Sequence, residues 1–166
     1  MIKIILTVMI SVFAGILQST LLVRVALYNA IPDLALCIVV FSAYVNGTMT
    51  GQVSGFLSGL LLDFLSAAPL GLNCLIRTLV GALAGIFKGA FFLDAFFLPV
   101  ILCALATIVK AALFFLLHLI LGASVPIYSL TAPVFWVELG LNSLSAPLLF
   151  ALLKRLRPLS LNWSKN

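Results

Sequence analysis

Long runs of apolar residues, separated by short polar breaks, make up most of the chain. The breaks hold turn-forming proline, glycine and asparagine residues together with most of the charges. A helix of about 20 apolar residues crosses the ~30 Å hydrocarbon core of a bilayer. The pattern predicts six membrane-spanning helices near residues 4–23, 34–45, 51–65, 72–87, 95–121 and 134–153, with a basic tail at 154–166.

Composition places the whole chain in lipid. Hydrophobic residues make up 64% of its 166 residues and charged residues only 8%, whereas soluble domains carry about 25% charged residues. The apolar runs are continuous rather than alternating, which favours helices over a membrane barrel. We therefore expect an all-α membrane protein, a compact bundle of about six transmembrane helices in a single domain spanning residues 1–166. The first run, 4–23, is too long for the apolar core of a signal peptide, and we expect it to be retained as a span.

The sequence argues against several classes of chemistry. The chain has a single histidine, no nucleophile motif and no paired catalytic carboxylates, so we expect no enzyme activity and no catalytic residues. The glycines lie within apolar runs rather than in phosphate-binding loops, and no nucleic-acid patch is present. We expect neither a cofactor nor a metal, because the cysteines are three, widely spaced and within apolar runs: Cys37, Cys74 and Cys103.

Basic residues predict the orientation. Loops on the cytoplasmic side of membrane proteins are enriched in lysine and arginine. With six spans, Arg24 is the only basic loop residue predicted on the outer side. We therefore expect both termini in the cytoplasm, on the side that holds Lys3, Lys88, Lys154, Arg155, Arg157 and Lys165.

Small residues recur at four-residue steps in three of the predicted spans. Such spacing lets helix backbones approach closely, which drives association in lipid. We expect spans 3 and 4 to pack through two glycine ladders: Gly51, Gly55 and Gly59, and Gly81, Gly85 and Gly89. A weaker series on span 1 is a candidate partner interface: Ser11, Gly15 and Ser19.

Five ionisable residues fall within predicted spans, where charges are costly and rarely face lipid. Asp63 and Arg77 each continue a glycine ladder by one step, so we expect them to face each other in the outer half of the membrane. The set as a whole fits either a polar cavity open to the outside or ion pairs that lock the bundle. Its members are Asp63, Arg77, Lys110, His118 and Glu138.

Several short motifs, taken in order, resemble the MreD family of bacterial rod shape-determining membrane proteins. The chain carries Pro32-Asp33-Leu34, then Gly59-Leu-Leu-Leu-Asp63, then Pro69-Leu-Gly71 and Thr78-Leu-Val-Gly81. The last span adds Asn142, Pro147 and the closing 153–156 segment. The clear resemblance covers about residues 32–89.

The resemblance implies a non-enzymatic scaffold in the bacterial cytoplasmic membrane. Its direct partner would be MreC, which has one span and a periplasmic domain. The wider wall-elongation complex would bring MreB, the glycosyltransferase RodA and a class B penicillin-binding protein. Because the loops are short, partners would bind mainly to helix faces, with membrane lipids and a second copy of the chain as further candidates.

The alternative is a transporter module. The six-span layout is similar to the substrate-binding S components of energy-coupling-factor vitamin transporters. In that case Asp63, Arg77 and Glu138 would line an outward-facing pocket, in which Arg77 would pair with an anionic group. The aromatic residues available to such a pocket are Tyr128, Phe135 and Trp136. Neighbouring genes distinguish the two functions: MreB and MreC in one case, ATPase subunits in the other.

Overall fold

The computed structural model of the chain describes residues 1–26, 30–66, 69–89, 96–122, 125, 128 and 131–156, and most of these residues are helical. Six α-helices and a 3₁₀ turn at Leu22–Val25 occur in these ranges, and they contain no strand. This confirms the all-α membrane fold class. The helices are α1 (Ile2–Thr20), α2 (Leu34–Asn46), α3 (Thr48–Leu65), α4 (Leu72–Ile86), α5 (Phe97–Leu121) and α6 (Pro133–Lys154).

The helices lie close to the predicted apolar runs because the breaks contain residues that end or begin helices. Asp33 caps α2, since its side chain accepts a hydrogen bond from the N–H of Leu36 at 3.0 Å. Gly71 precedes α4 with φ +92°, a conformation that glycine adopts without strain. Pro133 occupies the first turn of α6, where its missing N–H costs nothing. The predicted basic tail lies outside the described residues from 157 onwards.

Helix α2 is the central element of the bundle. All of its residues from Ala35 to Val45 are buried, enclosed by α1, α3, α4, α5 and α6. Its 13 residues rise only about 20 Å, whereas α5 rises about 38 Å. The N-cap residue of α2, Asp33, is therefore buried inside the bundle, beside the middle of its longer neighbours.

Glycines hold α3 and α4 at backbone contact. A side chain on Gly51 would collide with the carbonyl group of Gly81, and one on Gly81 would collide with Gly51. Gly55 lies against the backbone of Arg77 in the same way. The ladder residues of α3 and α4 therefore pack as small residues do in membrane helices.

The register of this pair differs from the predicted one. The predicted facing of Asp63 and Arg77 would have placed Gly51 opposite Gly89. The structure instead places Gly51 against Gly81, eight residues earlier in the chain. Gly89 follows the end of α4, in a turn with φ +69°, so it is not a helix-packing glycine. Gly59 packs on Asn73 and Cys74, and Gly85 packs on Thr48 and Gly47, so neither meets a glycine of the opposite ladder.

The outward-facing side chains are largely apolar, as expected of a protein in lipid. Phe64, Leu119, Leu144 and Leu148 are each more than two-thirds exposed. Among the described residues, α1, α5 and α6 are long and apolar enough to cross a membrane, while α2 and α4 are shorter apolar helices. The chain is thus a membrane protein, and six full crossings remain a prediction.

Basic residues gather at one end of the bundle, which we call the basic end. It is the end where α1 and α5 begin and where α2, α4 and α6 finish. The described basic residues there are Lys3, Lys88, Lys154 and Arg155. Arg24, just after α1, lies at the opposite end.

Candidate functional site

A network of charged and hydroxyl side chains lies in the bundle interior where α2 begins. It ties α2, α4, α5 and α6 together, and we call it the polar network. Each member makes at least one hydrogen bond to another: Asp33, Arg77, Lys110, Glu138 and Tyr128.

Asp33 is the centre of the polar network. Its Oδ1 accepts from Arg77 Nη2 at 2.9 Å, and its Oδ2 accepts from Lys110 Nζ at 2.8 Å. Asp33 also starts α2, so its carboxylate is set by the helix N-terminus as well as by the two cations. Because α2 is short, this helix start meets Lys110 in the middle of α5.

Glu138 completes the charge balance. Lys110 Nζ donates to Glu138 Oε1 at 2.7 Å, and the Tyr128 hydroxyl donates to Glu138 Oε2. Arg77 and Lys110 supply two positive charges and Asp33 and Glu138 two negative charges, so the network is neutral. Asp33, Arg77 and Glu138 are each 6% exposed or less, and a neutral set is the arrangement in which such burial is tolerable.

Tyr128 covers the polar network from the loop that joins α5 to α6. Its ring stacks on Phe114, with centroids 5.5 Å apart, and meets Phe135 edge-on. The ammonium of Lys110 lies 5.9 Å from the same ring, within the range of a cation–π contact. The predicted aromatic candidates Tyr128 and Phe135 are therefore used in covering the ion pairs, while Trp136 is exposed and contacts Phe135.

An amide–hydroxyl pair extends the polar network along α6. Asn142 Oδ1 accepts from the backbone N–H of Asp33 at 2.6 Å, and Asn142 Nδ2 donates to Thr107 Oγ1 at 2.9 Å. Both side chains are fully buried. Asn142 therefore fixes the start of α2 between α5 and α6.

The prediction that Asp63 faces Arg77 is wrong. Asp63 caps α4: its carboxylate accepts hydrogen bonds at 2.9–3.0 Å from the backbone N–H groups of Gly71, Asn73 and Cys74 and from the Asn73 amide. Arg77 binds Asp33 instead. The error came from the eight-residue difference in register, which places the first turn of α4, rather than Arg77, beside Asp63.

Two other candidates also have structural partners. His118 Nδ1 is 2.8 Å from the carbonyl oxygen of Val125, so it braces the loop after α5 rather than joining the polar network. On α1, Ser11 is buried and donates to the carbonyl of Ala35 at 2.9 Å, and Gly15 packs against Leu62. Burial makes Ser11 and Gly15 unavailable to a partner, so that interface prediction is wrong for both. Ser19 is exposed.

The family-motif residues have clear structural places. Pro32 and Asp33 start α2, Pro69 and Gly71 form the turn before α4, and Pro147 lies inside α6. The predicted set of intramembrane charges left out Asp33, because the residues before span 2 were assigned to a loop. The shortness of span 2 was the available signal, since a short span cannot carry both of its ends to the membrane surfaces.

The chemistry open to the polar network is limited by its own pairing. Both carboxylates accept bonds from cations or hydroxyls, and no group of residues suited to a metal occurs in the described part of the chain. Arg77 binds through Nη2 alone, and its Nε and Nη1 have no partner among the described residues. The arrangement can hold four helices together, and Arg77 keeps N–H groups that could donate to a further hydrogen-bond acceptor.

Comparison with known proteins assigns the family. Residues 1–156 match the model of the family described as rod shape-determining protein MreD. Neither a curated protein nor a solved structure matches the chain. The match covers nearly the whole chain and agrees with the resemblance carried by the motifs at 32–34, 59–63 and 69–71. The chain therefore belongs to the MreD family of rod shape-determining membrane proteins.

Proposed function

We propose that this chain is a non-enzymatic scaffold of the bacterial wall-elongation complex and that it binds MreC directly. MreB, RodA and a class B penicillin-binding protein would join through the same complex. Membership of the MreD family gives the chain a part in rod-shape determination. The direct contact with MreC is the step that we add.

The self-paired polar network is the observation that favours a scaffold. Four charges that cancel, together with the Tyr128 hydroxyl and Asn142, tie α2, α4, α5 and α6 into one body. Groups that bind each other in this way stabilise a fixed arrangement of helices. A fixed arrangement presents constant outer faces, which is what a scaffold needs to hold a single-span partner.

The basic end supports the orientation that we propose. We place the chain in the bacterial cytoplasmic membrane with both termini in the cytoplasm. The basic end would then face the cytoplasm, in keeping with the enrichment of lysine and arginine on that side. The polar network would lie in the outer half of the membrane, below the Tyr128 loop.

One observation favours the alternative of a small-molecule-binding transporter component. The Nε and Nη1 of Arg77 are buried without a partner among the described residues, and a guanidinium binds anions well. Against it, both carboxylates and Lys110 are already paired within the chain. The transporter function is therefore the alternative outcome of the purification experiment.

Gentle purification of the tagged chain from its own cells distinguishes the two. Mass spectrometry should find MreC in near-stoichiometric amount, and an unrelated tagged six-span protein from the same cells should bring none. Two ATPases with a coupling subunit, or a small anion whose mass is lost in Arg77→Gln, would overturn the scaffold. If MreC is absent while MreB and the wall synthases are present, direct binding fails but complex membership stands.

A further inference from the structure

Arg77 has hydrogen-bond donors that its partner Asp33 does not use. The Arg77 side chain lies in the bundle interior, and the residue is 4% exposed. Asp33 Oδ1 accepts from Nη2 at 2.9 Å, whereas Nε and Nη1 are buried and have no partner in the described part of the chain. A guanidinium carries five N–H groups, one on Nε and two on each Nη. The N–H groups of Nε and Nη1 therefore need acceptors from elsewhere.

Donors of a buried cation are costly to leave unpaired. Hydrogen bonds of charged groups are stronger than those of neutral groups, and loss of the acceptor costs correspondingly more. The other ions of the polar network follow this rule, because Asp33, Lys110 and Glu138 each bond to two side chains. Arg77 bonds to one side chain among the described residues. The folded chain is therefore stabilised by any acceptor that reaches Nε and Nη1.

The shape of the guanidinium requires at least two acceptors. Its N–H groups have a fixed planar arrangement. Nη1 lies on the same side of the group as the Cδ atom, while the Nε–H points to the other side. One oxygen atom cannot accept from both. Each nitrogen thus defines its own site, with an oxygen at about 2.9 Å.

Charge balance indicates the kind of acceptor. The positive charges of Arg77 and Lys110 already cancel the negative charges of Asp33 and Glu138. An anion bound at Arg77 would leave one uncompensated negative charge in the bundle, and uncompensated buried charges are strongly destabilising. A neutral acceptor keeps the polar network balanced.

Enclosure limits the size of the acceptor. Ile76 and Val80, on the same helix, are each 2% exposed, and the backbone of Gly55 covers the backbone of Arg77. A lipid headgroup is too large for such a closed position. Water is the smallest neutral acceptor, and buried water commonly bonds to polar groups that the protein leaves unsatisfied.

We propose that at least two water molecules bind inside the bundle at Arg77, one to Nε and one to Nη1. They solvate the parts of the guanidinium that Asp33 leaves free, which makes an arginine tolerable at this depth in the membrane. Each water donates in turn to oxygen atoms of the surrounding helices. The site belongs to the chain itself and does not depend on MreC.

NMR spectroscopy of the chain in lipid nanodiscs detects bound water directly. Arg24→Lys, Arg155→Lys and Arg157→Lys, combined, leave Arg77 as the only arginine and do not change the polar network. The Nε–H of Arg77 should show a rotating-frame Overhauser cross-peak to water, with the sign of a dipolar contact rather than of chemical exchange. The backbone N–H of Val39, which is buried in the middle of α2, is the control and should show none.

Two results of that measurement would overturn the proposal. One is a missing water cross-peak at Arg77, and the other is a cross-peak of equal strength at Val39. The wild-type chain provides the same measurement if the triple variant does not fold, because Arg77→Lys then identifies the Arg77 signal by its loss.

An anion titration distinguishes water from a charged ligand. Chloride and inorganic phosphate, added to the same sample, should leave the Nε and proton shifts of Arg77 unchanged. A saturable shift would show that Arg77 binds an anion and would overturn the neutral site. Co-purification of MreC is scored separately in cells, so failure of the water site and failure of the scaffold are distinguishable.

Discussion

Arg77 on α4 and Asp33 at the start of α2 form a buried ion pair, with Nη2 and Oδ1 2.9 Å apart. The pair exists because α2 is short enough for its N-cap residue, Asp33, to lie inside the bundle. Asp33 in turn holds Lys110 and, through its backbone N–H, Asn142. The interior start of one helix thus organises the contacts of three others.

Loss of Lys110 should destabilise the bundle strongly. Lys110→Met leaves Asp33 and Glu138 with only Arg77 to balance them, and breaking a buried ion pair from one side costs about 3–5 kcal/mol. Unfolding of the purified chain by sodium dodecyl sulfate in mixed micelles measures the effect. Arg24→Gln, exposed in the 3₁₀ turn after α1, is the control and should stay within about 0.5 kcal/mol of the wild type.

A charge-balanced double variant should recover part of that loss. Lys110→Met with Glu138→Gln removes one cation and one anion and leaves the pair of Arg77 with Asp33 intact. The double variant should therefore be more stable than Lys110→Met alone, in the same detergent titration. Equal or lower stability would mean that the individual hydrogen bonds, rather than the charge balance, stabilise the polar network.

Asp63 should act as the cap of α4 and not as a partner of Arg77. Asp63→Ala removes the acceptor of four hydrogen bonds and should cost about 2 kcal/mol, the upper range for a helix N-cap. Asp63→Asn keeps one acceptor oxygen and should cost less. The exchange of Asp63→Arg with Arg77→Asp should be no more stable than either single change, and recovery in the exchange would contradict this assignment.

Asn142 should matter more than its neighbouring polar residues. Asn142→Leu leaves the buried N–H of Asp33 without its acceptor, at about 1–3 kcal/mol for a buried unsatisfied group. It also removes the amide donor to Thr107, whose hydroxyl still donates to the carbonyl of Cys103. Ser145→Ala is the matched control, because the Ser145 hydroxyl donates only to the carbonyl of Asn142, one turn earlier in α6. Thermal unfolding in detergent should separate the two variants, and equal melting temperatures would refute the role of Asn142.

Local pattern was sufficient to predict the helices and part of their packing. Apolar runs and turn residues placed each helix within three residues of its observed bounds. The four-residue glycine spacing indicated that α3 and α4 approach closely, which the contact of Gly51 with Gly81 shows. These features depend on periodicity and turn chemistry, which are properties of neighbouring residues.

The partners of the buried charges could not be obtained in the same way. Whether Arg77 meets Asp63 or Asp33 depends on the register of α3 against α4. It also depends on how far inside the bundle the N-terminus of α2 lies. Equal spacing in both ladders allows several registers, because a shift of four or eight residues still aligns glycines. The register is decided by contacts between residues far apart in the chain, among them the hydrogen bonds of Asp63 to the first turn of α4.

The glycines of the helices should differ sharply in their tolerance of alanine. A methyl group on Gly55 would overlap the backbone of Arg77, so Gly55→Ala must push α3 and α4 apart, at about 1–3 kcal/mol or more. Gly140, on α6, has nothing within 4 Å of an added methyl group. Since glycine costs about 1 kcal/mol relative to alanine inside a helix, Gly140→Ala should leave the purified chain unchanged or more stable. Detergent unfolding of both variants measures the contrast. Destabilisation by Gly140→Ala in the chain alone would show that α6 packs more closely there than the structure indicates.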